Sequence, residues 1–199
     1  MHHDLIVIGA SAGGVEALRR VARELPRDLR ATVLVVLHIS RRKSLLPVIL
    51  SRAGRLQASH PEDGASLEYG RIYVAPPDRH MIVDGGVVRL VDTIAENGVR
   101  PAVDPLFRSA ARACGNRVIG VLLTGALDDG TAGMGAIRAA GGVTIVQDPE
   151  EALAPGMPRS AIASGSVDYV LPLRDIPPRL RALVEEQAAA VTRRRPLPP

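Results

Sequence analysis

The sequence predicts one doubly wound α/β domain: a mainly parallel sheet with helices on both faces and an antiparallel hairpin at one edge. Three observations carry this. Residues 5–8, 31–37, 118–123 and 143–146 are short, continuous apolar runs, the pattern of strands covered on both faces. Helix-like stretches alternate with them, the rhythm of βα units that build a parallel sheet. Residues 56–92 break that rhythm with shorter strands, the last two separated by Asp84-Gly85-Gly86, a turn signal for an antiparallel hairpin.

Taken in order, the first apolar run ends in Gly9-Ala-Ser-Ala-Gly-Gly14 and leads into a helix over residues 15–25. The second run is rich in β-branched residues, and after a polar turn a helix is expected over 44–52. Residues 71–75, 81–83 and 87–91 read as short strands of an antiparallel insert or sheet edge. A helix over 101–114 leads into the third core strand, and another over 131–140 separates the third from the fourth. A terminal helix is expected over 176–191. Residues 1–192 thus form one domain, and 193–199 a disordered basic, Pro-rich tail.

Composition sets the boundaries. A chain of 199 residues with 46% hydrophobic content is long enough for one substantial core and short for two. The apolar runs fall far short of the ~20 residues that span a bilayer, and no signal peptide is visible. The single cysteine, Cys114, cannot form an internal disulfide, and nothing has zinc-ligand spacing. A cytoplasmic protein without metal or cofactor, and without membrane insertion, is expected. The formal charge of +4 comes mostly from the end of the chain, where six Arg face three acids from Arg174 onward. Such a tail reads as a solvated terminus. With one Phe, three Tyr and no Trp, a stacking surface for single-stranded nucleic acid is not expected.

A strand, a Gly-rich turn and a helix would ordinarily suggest a dinucleotide site. That fingerprint needs a second Gly where this chain has Ser11, and an acid at the end of the second strand where it has His38. Groups that bind a cofactor are missing and groups that perform acyl transfer stand in their places. Read as Gly9-x-Ser11-x-Gly13, the loop matches a nucleophile elbow, in which small neighbours let a sharp strand-to-helix turn expose Oγ. The helix start directs backbone N–H groups at the same point.

A serine hydroxyl needs a base, and imidazole is the usual one near neutral pH. Among five His, His2 and His3 read as terminal and mobile, and His60 and His80 as surface residues. His38 alone closes a core strand. If the first two strands are neighbours, their ends lie ~5 Å apart. Asp128 and Asp129 follow the third strand and either could orient the imidazole; the other would cap the next helix. The spacing does not choose between them.

At this point the chain resembles a family. Gly9-Ala-Ser-Ala-Gly-Gly14, the strand ending at His38, Arg71-Ile-Tyr-Val-Ala-Pro76 with His80, Arg100-Pro-Ala-Val-Asp-Pro-Leu-Phe107 and Leu123-Thr-Gly-x-x-x-Asp129-Gly130 occur in register. They are similar to the catalytic domain of the chemotaxis protein-glutamate methylesterase, CheB. The resemblance covers about residues 4–175. It implies hydrolysis of glutamyl methyl esters on chemoreceptors or receptor-like proteins, releasing methanol, with glutamine deamidation in some members. It places the nucleophile on Ser11, the base on His38 and the acid on Asp129, with Ala12, Gly13 and Ala126 around the oxyanion and ester pocket. Ala12 stands where the family commonly has Thr, Ala126-Leu127 where Met-Gly is usual, and Ile39-Ser40 where Met-Pro is frequent. The family's phospho-receiver domain has no counterpart before the first strand, so a separate response regulator, or no such gating, is expected. Two other readings stay open: a non-catalytic receptor-docking domain of the same fold, and a serine esterase for other small esters.

Overall fold

The computed structural model describes residues 3–38 and 44–193. Numbered in chain order, β1 (Leu5–Ala10), β2 (Thr32–Leu37), β3 (Gln57–Ser59), β4 (Arg71–Val74), β7 (Val118–Leu122), β8 (Val143–Gln147) and β9 (Tyr169–Leu171) form one sheet. Its order is β3-β4-β2-β1-β7-β8-β9, and every neighbouring pair is parallel. The chain runs from β1 to β2 and on to the edge strand β3, steps back to insert β4 between β2 and β3, then crosses to continue from β7 in the other direction. The sheet therefore has a topological switch point between β1 and β7, where open α/β sheets place their ligands.

Each central strand is buried along its whole length, so both faces must be covered. Alternation sorts the side chains. Ile6, Ile8, Val33, Val35, Ile119 and Val121 face one core, with α1 (Gly14–Glu24), α2 (Leu46–Ala53) and α6 (Ile176–Arg193) over them. Leu5, Val7, Leu34 and Val36 face the other, under α3 (Val103–Cys114), α4 (Thr131–Ala139) and α5 (Gly156–Ala163). In α1 the buried positions are Gly14, Ala17, Leu18, Val21 and Ala22, the spacing of one helical face. Phe107 of α3 is fully buried at the centre of the second core. Among the described residues no helix is long and apolar enough to cross a membrane.

The doubly wound architecture and the hairpin agree with the sequence reading; one part of the insert does not. The hairpin, β5 (His80–Asp84) and β6 (Val87–Val91), pairs as a separate two-stranded antiparallel sheet packed on α3. Residues 71–75, expected in the antiparallel insert, instead supply β4, which pairs with β2 in the main sheet. The physical reason is burial: Ile72, Tyr73 and Val74 are all buried, which suits a covered parallel strand. The basic tail from residue 194, His2 and Ile39-Ser40 lie outside the described residues.

Candidate active site

The backbone ladder of the sheet does the first part of the positioning. His38 N–H donates to Ala10 O, Ser11 N–H to Thr124 O and Leu123 N–H to Gly9 O, at 3.1, 2.9 and 2.9 Å. These bonds extend the β2–β1–β7 pairing just past the carboxyl ends of the strands. Ser11 and His38 are thereby fixed on adjacent strands, and Asp129 follows on the loop from β7.

The three side chains meet. Ser11 Oγ lies 3.1 Å from His38 Nδ1, and His38 Nε2 lies 2.6 Å from Asp129 Oδ2. An ionised carboxylate only accepts, so Nε2 carries the proton and Nδ1 presents its lone pair to the Ser11 hydroxyl. Turning the ring over would put carbon atoms against both partners. The two nitrogens are used in the opposite sense from serine proteases, where Nε2 faces the serine and Nδ1 the aspartate.

Of the two aspartates left open by spacing, the structure brings Asp129 to His38 and leaves Asp128 outside. Asp129 is 2% exposed, whereas Asp128 is exposed. Asp128 does not cap α4 with its side chain, contrary to expectation. The N-cap is Gly130, without a side-chain bond, and it is the Asp128 carbonyl that accepts from Thr131 N–H.

Asp129 accepts four hydrogen bonds. Oδ2 takes His38 Nε2–H and the Val103 N–H (2.7 Å), and Oδ1 takes the Asp104 N–H (3.1 Å) and Asn97 Nδ2 (2.8 Å). Val103 and Asp104 open α3, so the carboxylate sits on that helix's positive end. Burial pushes the Asp129 carboxyl up, but the bonds from His38, Val103, Asn97 and Asp104 outweigh it, and the net is a carboxyl held below its ordinary value.

Asp104 returns the arrangement. Its Oδ1 accepts the Gly133 N–H in the first turn of α4 (2.7 Å), so Asp129, just before α4, binds the start of α3, and Asp104, in the first turn of α3, binds the start of α4. Burial, with a contribution from the Asp129 charge, raises the Asp104 carboxyl despite the Gly133 bond.

The residues around the serine differ from a strained elbow in one respect. The left-handed conformation falls on Gly13 (φ 79°), while Ser11 is not among the residues at positive φ. Ala12 and Ala126 are exposed and Gly13 half-buried. Among the described residues none accepts a hydrogen bond from the N–H of Ala12, Gly13 or Ala126. Ala12 and Gly13 belong to the Ser11 turn, and Ala126 follows Gly125, whose added Cβ would lie 2.9 Å from Ser11 Cβ. Leu127, in the same loop, is 77% exposed and held at φ 64°, a conformation that strains a branched side chain.

Several residues of the site escaped the sequence reading. Thr124 Oγ1 donates to Ala12 O (2.8 Å) and accepts from Ala154 N–H (2.9 Å), and its own N–H donates to Gln147 Oε1 (2.9 Å). It ties the Ser11 turn to the loop before α5. Asn97 stands in an Asn-Gly dipeptide, a strong turn signal that could have been read. Three histidines were also misplaced. His80 is fully buried, accepting the Ala102 N–H at Nδ1 and donating from Nε2 to Ile94 O. His60 is half-buried, with Nδ1 donating to Val74 O, and His3 is buried at 5% exposure.

Comparison with known proteins identifies the family. The CheB methylesterase family model matches residues 6–180. A protein-glutamate methylesterase/protein-glutamine glutaminase of Anaeromyxobacter dehalogenans is 44% identical over 181 residues, covering 90% of this chain and 53% of the relative. One from Pyrococcus horikoshii is 37% identical over 185 residues, covering 90% and 50%. The chain thus spans about half the length of these relatives. A putative protein of the same name in Leptospira interrogans is 37% identical and is covered over 92% of its length. The crystal structure of the Thermotoga maritima CheB methylesterase catalytic domain matches with a TM-score of 0.86 at 35% identity, covering 92% of this chain and all of that one. With fold, motif register and family model in agreement over residues 6–180, this chain belongs to the CheB methylesterase family.

Proposed function

We propose that this chain is a protein-glutamate methylesterase in which Ser11, His38 and Asp129 act as a catalytic triad. The observation that carries the reading is the unbroken relay from Ser11 Oγ through His38 to Asp129, with contacts of 3.1 and 2.6 Å, at the switch point of the sheet.

The chemistry follows from that relay. Ser11 Oγ attacks the carbonyl carbon of a glutamyl methyl ester as His38 Nδ1 takes its proton. The oxyanion that forms is met by the free N–H groups beside the serine, from Ala12, Gly13 and Ala126. Asp129 stabilises the imidazolium. Collapse of the tetrahedral adduct breaks the bond to methoxide, which leaves as methanol with the proton from Nδ1. Water then attacks the glutamyl-serine ester, gives its proton to His38, and releases the glutamate side chain as Ser11 is restored. A glutamine side chain would follow the same course with ammonia as the leaving group, in line with the second half of the relatives' name.

The substrate in this reading is a methylated chemoreceptor or receptor-like protein, and the enzyme is cytoplasmic, with residues 1–192 forming one domain. Methanol release from a methylated receptor by the wild-type chain and by Ser11→Ala tests it. Release by the wild type alone is expected. Release by both would displace the nucleophile. Release by neither, with small esters still cleaved by the wild type, would favour an esterase of another substrate, and no hydrolysis at all the docking domain.

A further inference from the structure

Residues 96–99 form a tight hairpin whose tip is Asn97-Gly98. Glu96 and Val99 exchange backbone bonds of 3.2 and 3.0 Å, and Asn97 and Gly98 sit at φ 54° and 76°. Positive φ at both central positions is the type I′ turn, for which Asn-Gly is the preferred pair. The turn is fastened from several sides. Glu96 pairs with Arg108 of α3 at 2.6 Å, and His80 Nε2–H donates to Ile94 O just upstream. Arg100, downstream, donates to Thr93 O and pairs with Asp78.

This fastening aims one side chain. Asn97 Nδ2 donates one hydrogen to Asp129 Oδ1 (2.8 Å) and the other to Asp104 Oδ2 (3.1 Å). Its amide therefore bridges two buried carboxylates that repel one another. The amide cannot be turned over, since its oxygen would then face two acceptors. Asp129 can make a linear bond to His38 Nε2 only if the carboxyl plane is fixed, and two of its four donors, the N–H groups of Val103 and Asp104, already belong to one helix end. Asn97 is the remaining donor, and the only side chain among the described residues that binds both acids.

We infer that Asn97 is a positioning residue for the proposed triad: its amide holds the Asp129 carboxylate in the plane that faces His38 while screening it from Asp104. The inference rests on the triad reading, since it assigns a partner to the triad's acid. Asn97 itself is exposed on its outer side, so its removal does not open the core.

The test uses Asn97→Gly, which keeps the positive φ and deletes only the amide, and Asn97→Asp, which keeps the shape but faces both carboxylates with acceptors alone. Methanol release should show kcat lowered about 10-fold in Asn97→Gly with KM within about twofold, as for loss of an outer partner that orients a reacting group, and lowered further in Asn97→Asp. Thermal unfolding is followed alongside, so that turnover is compared with each variant folded. The second readout does not need turnover. A short N–H···O bond such as that between His38 and Asp129 gives a low-field proton resonance, which should move in Asn97→Gly, vanish in Asp129→Asn and persist in Ser11→Ala. An unmoved resonance with kcat unchanged in both Asn97 variants would overturn the inference and leave the triad standing. Full turnover by Ser11→Ala would overturn the triad, and the resonance would still decide whether Asn97 sets the Asp129 plane.

Discussion

Ser11 and Gly125 are packed so closely that a methyl group on the glycine would lie 2.9 Å from Ser11 Cβ and 2.0 Å from the Met157 sulfur. Gly125 backs the proposed nucleophile, and its backbone is fixed on both sides by bonds to Ala154 O and from Met157 N–H. A larger residue would have to displace the serine or the fully buried Met157. Gly125→Ala should lower kcat by at least about 10-fold and cost about 1–3 kcal/mol of stability, the usual range for overpacking. Turnover and urea unfolding measured on one preparation check it; unchanged turnover would mean that the serine's place tolerates movement.

The two adjacent aspartates should separate cleanly. Asp129→Asn should cut turnover on the order of 10⁴-fold by allowing the wrong imidazole tautomer. It also places an amide donor among the Val103, Asp104 and Asn97 donors, with a loss of about 2 kcal/mol. Asp128→Asn should change neither rate nor stability by a measurable amount, because only its carbonyl joins the turn before α4. A strong effect at Asp128 with a weak one at Asp129 would shift the acid by one residue.

The same carboxyl gives a pH dependence. Burial raises the Asp129 carboxyl and its hydrogen bonds lower it further, so its folded value lies below the ordinary 3.8. A depressed value means stability that is complete above 3.8 and lost as pH falls through the folded value. The gap in urea midpoint between the wild type and Asp129→Asn should therefore be widest near neutrality and close below that pH. A gap that widened on acidification would reverse the sign of the shift.

Leu127 offers a gain. Its left-handed backbone (φ 64°) and 77% exposure mean that little packing opposes a change to glycine. Leu127→Gly should relieve strain of about 1 kcal/mol, seen as a higher thermal midpoint. Any change in KM for the proposed receptor substrate would report contact between this side chain and that substrate.

How much of this was legible beforehand depends on what each residue answers to. β1, β2 and β7 are almost wholly apolar because both faces are covered, and that pattern is local, so the sheet and the ends carrying Ser11 and His38 could be read directly. The strand at residues 71–74 could not, since four residues do not reveal whether their partner is parallel or antiparallel. The choice between Asp128 and Asp129 needed family register, because a one-residue step turns a side chain from the site to solvent. Asn97 and Asp104 answer to each other and to Asp129, 32 and 25 residues away in the chain, and no window of sequence contains that relation. His80 looked like a surface residue for the same reason: its partners, Ala102 and Ile94, are brought to it only by the fold.

The crossed attachment of Asp129 to the start of α3 and of Asp104 to the start of α4 ties two helices to one opening event. Neither helix can loosen its first turn without releasing a carboxylate from the other. The amide hydrogens of Val103, Asp104 and Gly133 should then exchange with solvent deuterium together, at a common free energy close to that of global unfolding. Local breathing that exposes the serine turn would leave these amides protected, and any partly opened form in which they exchange would already have lost its acid.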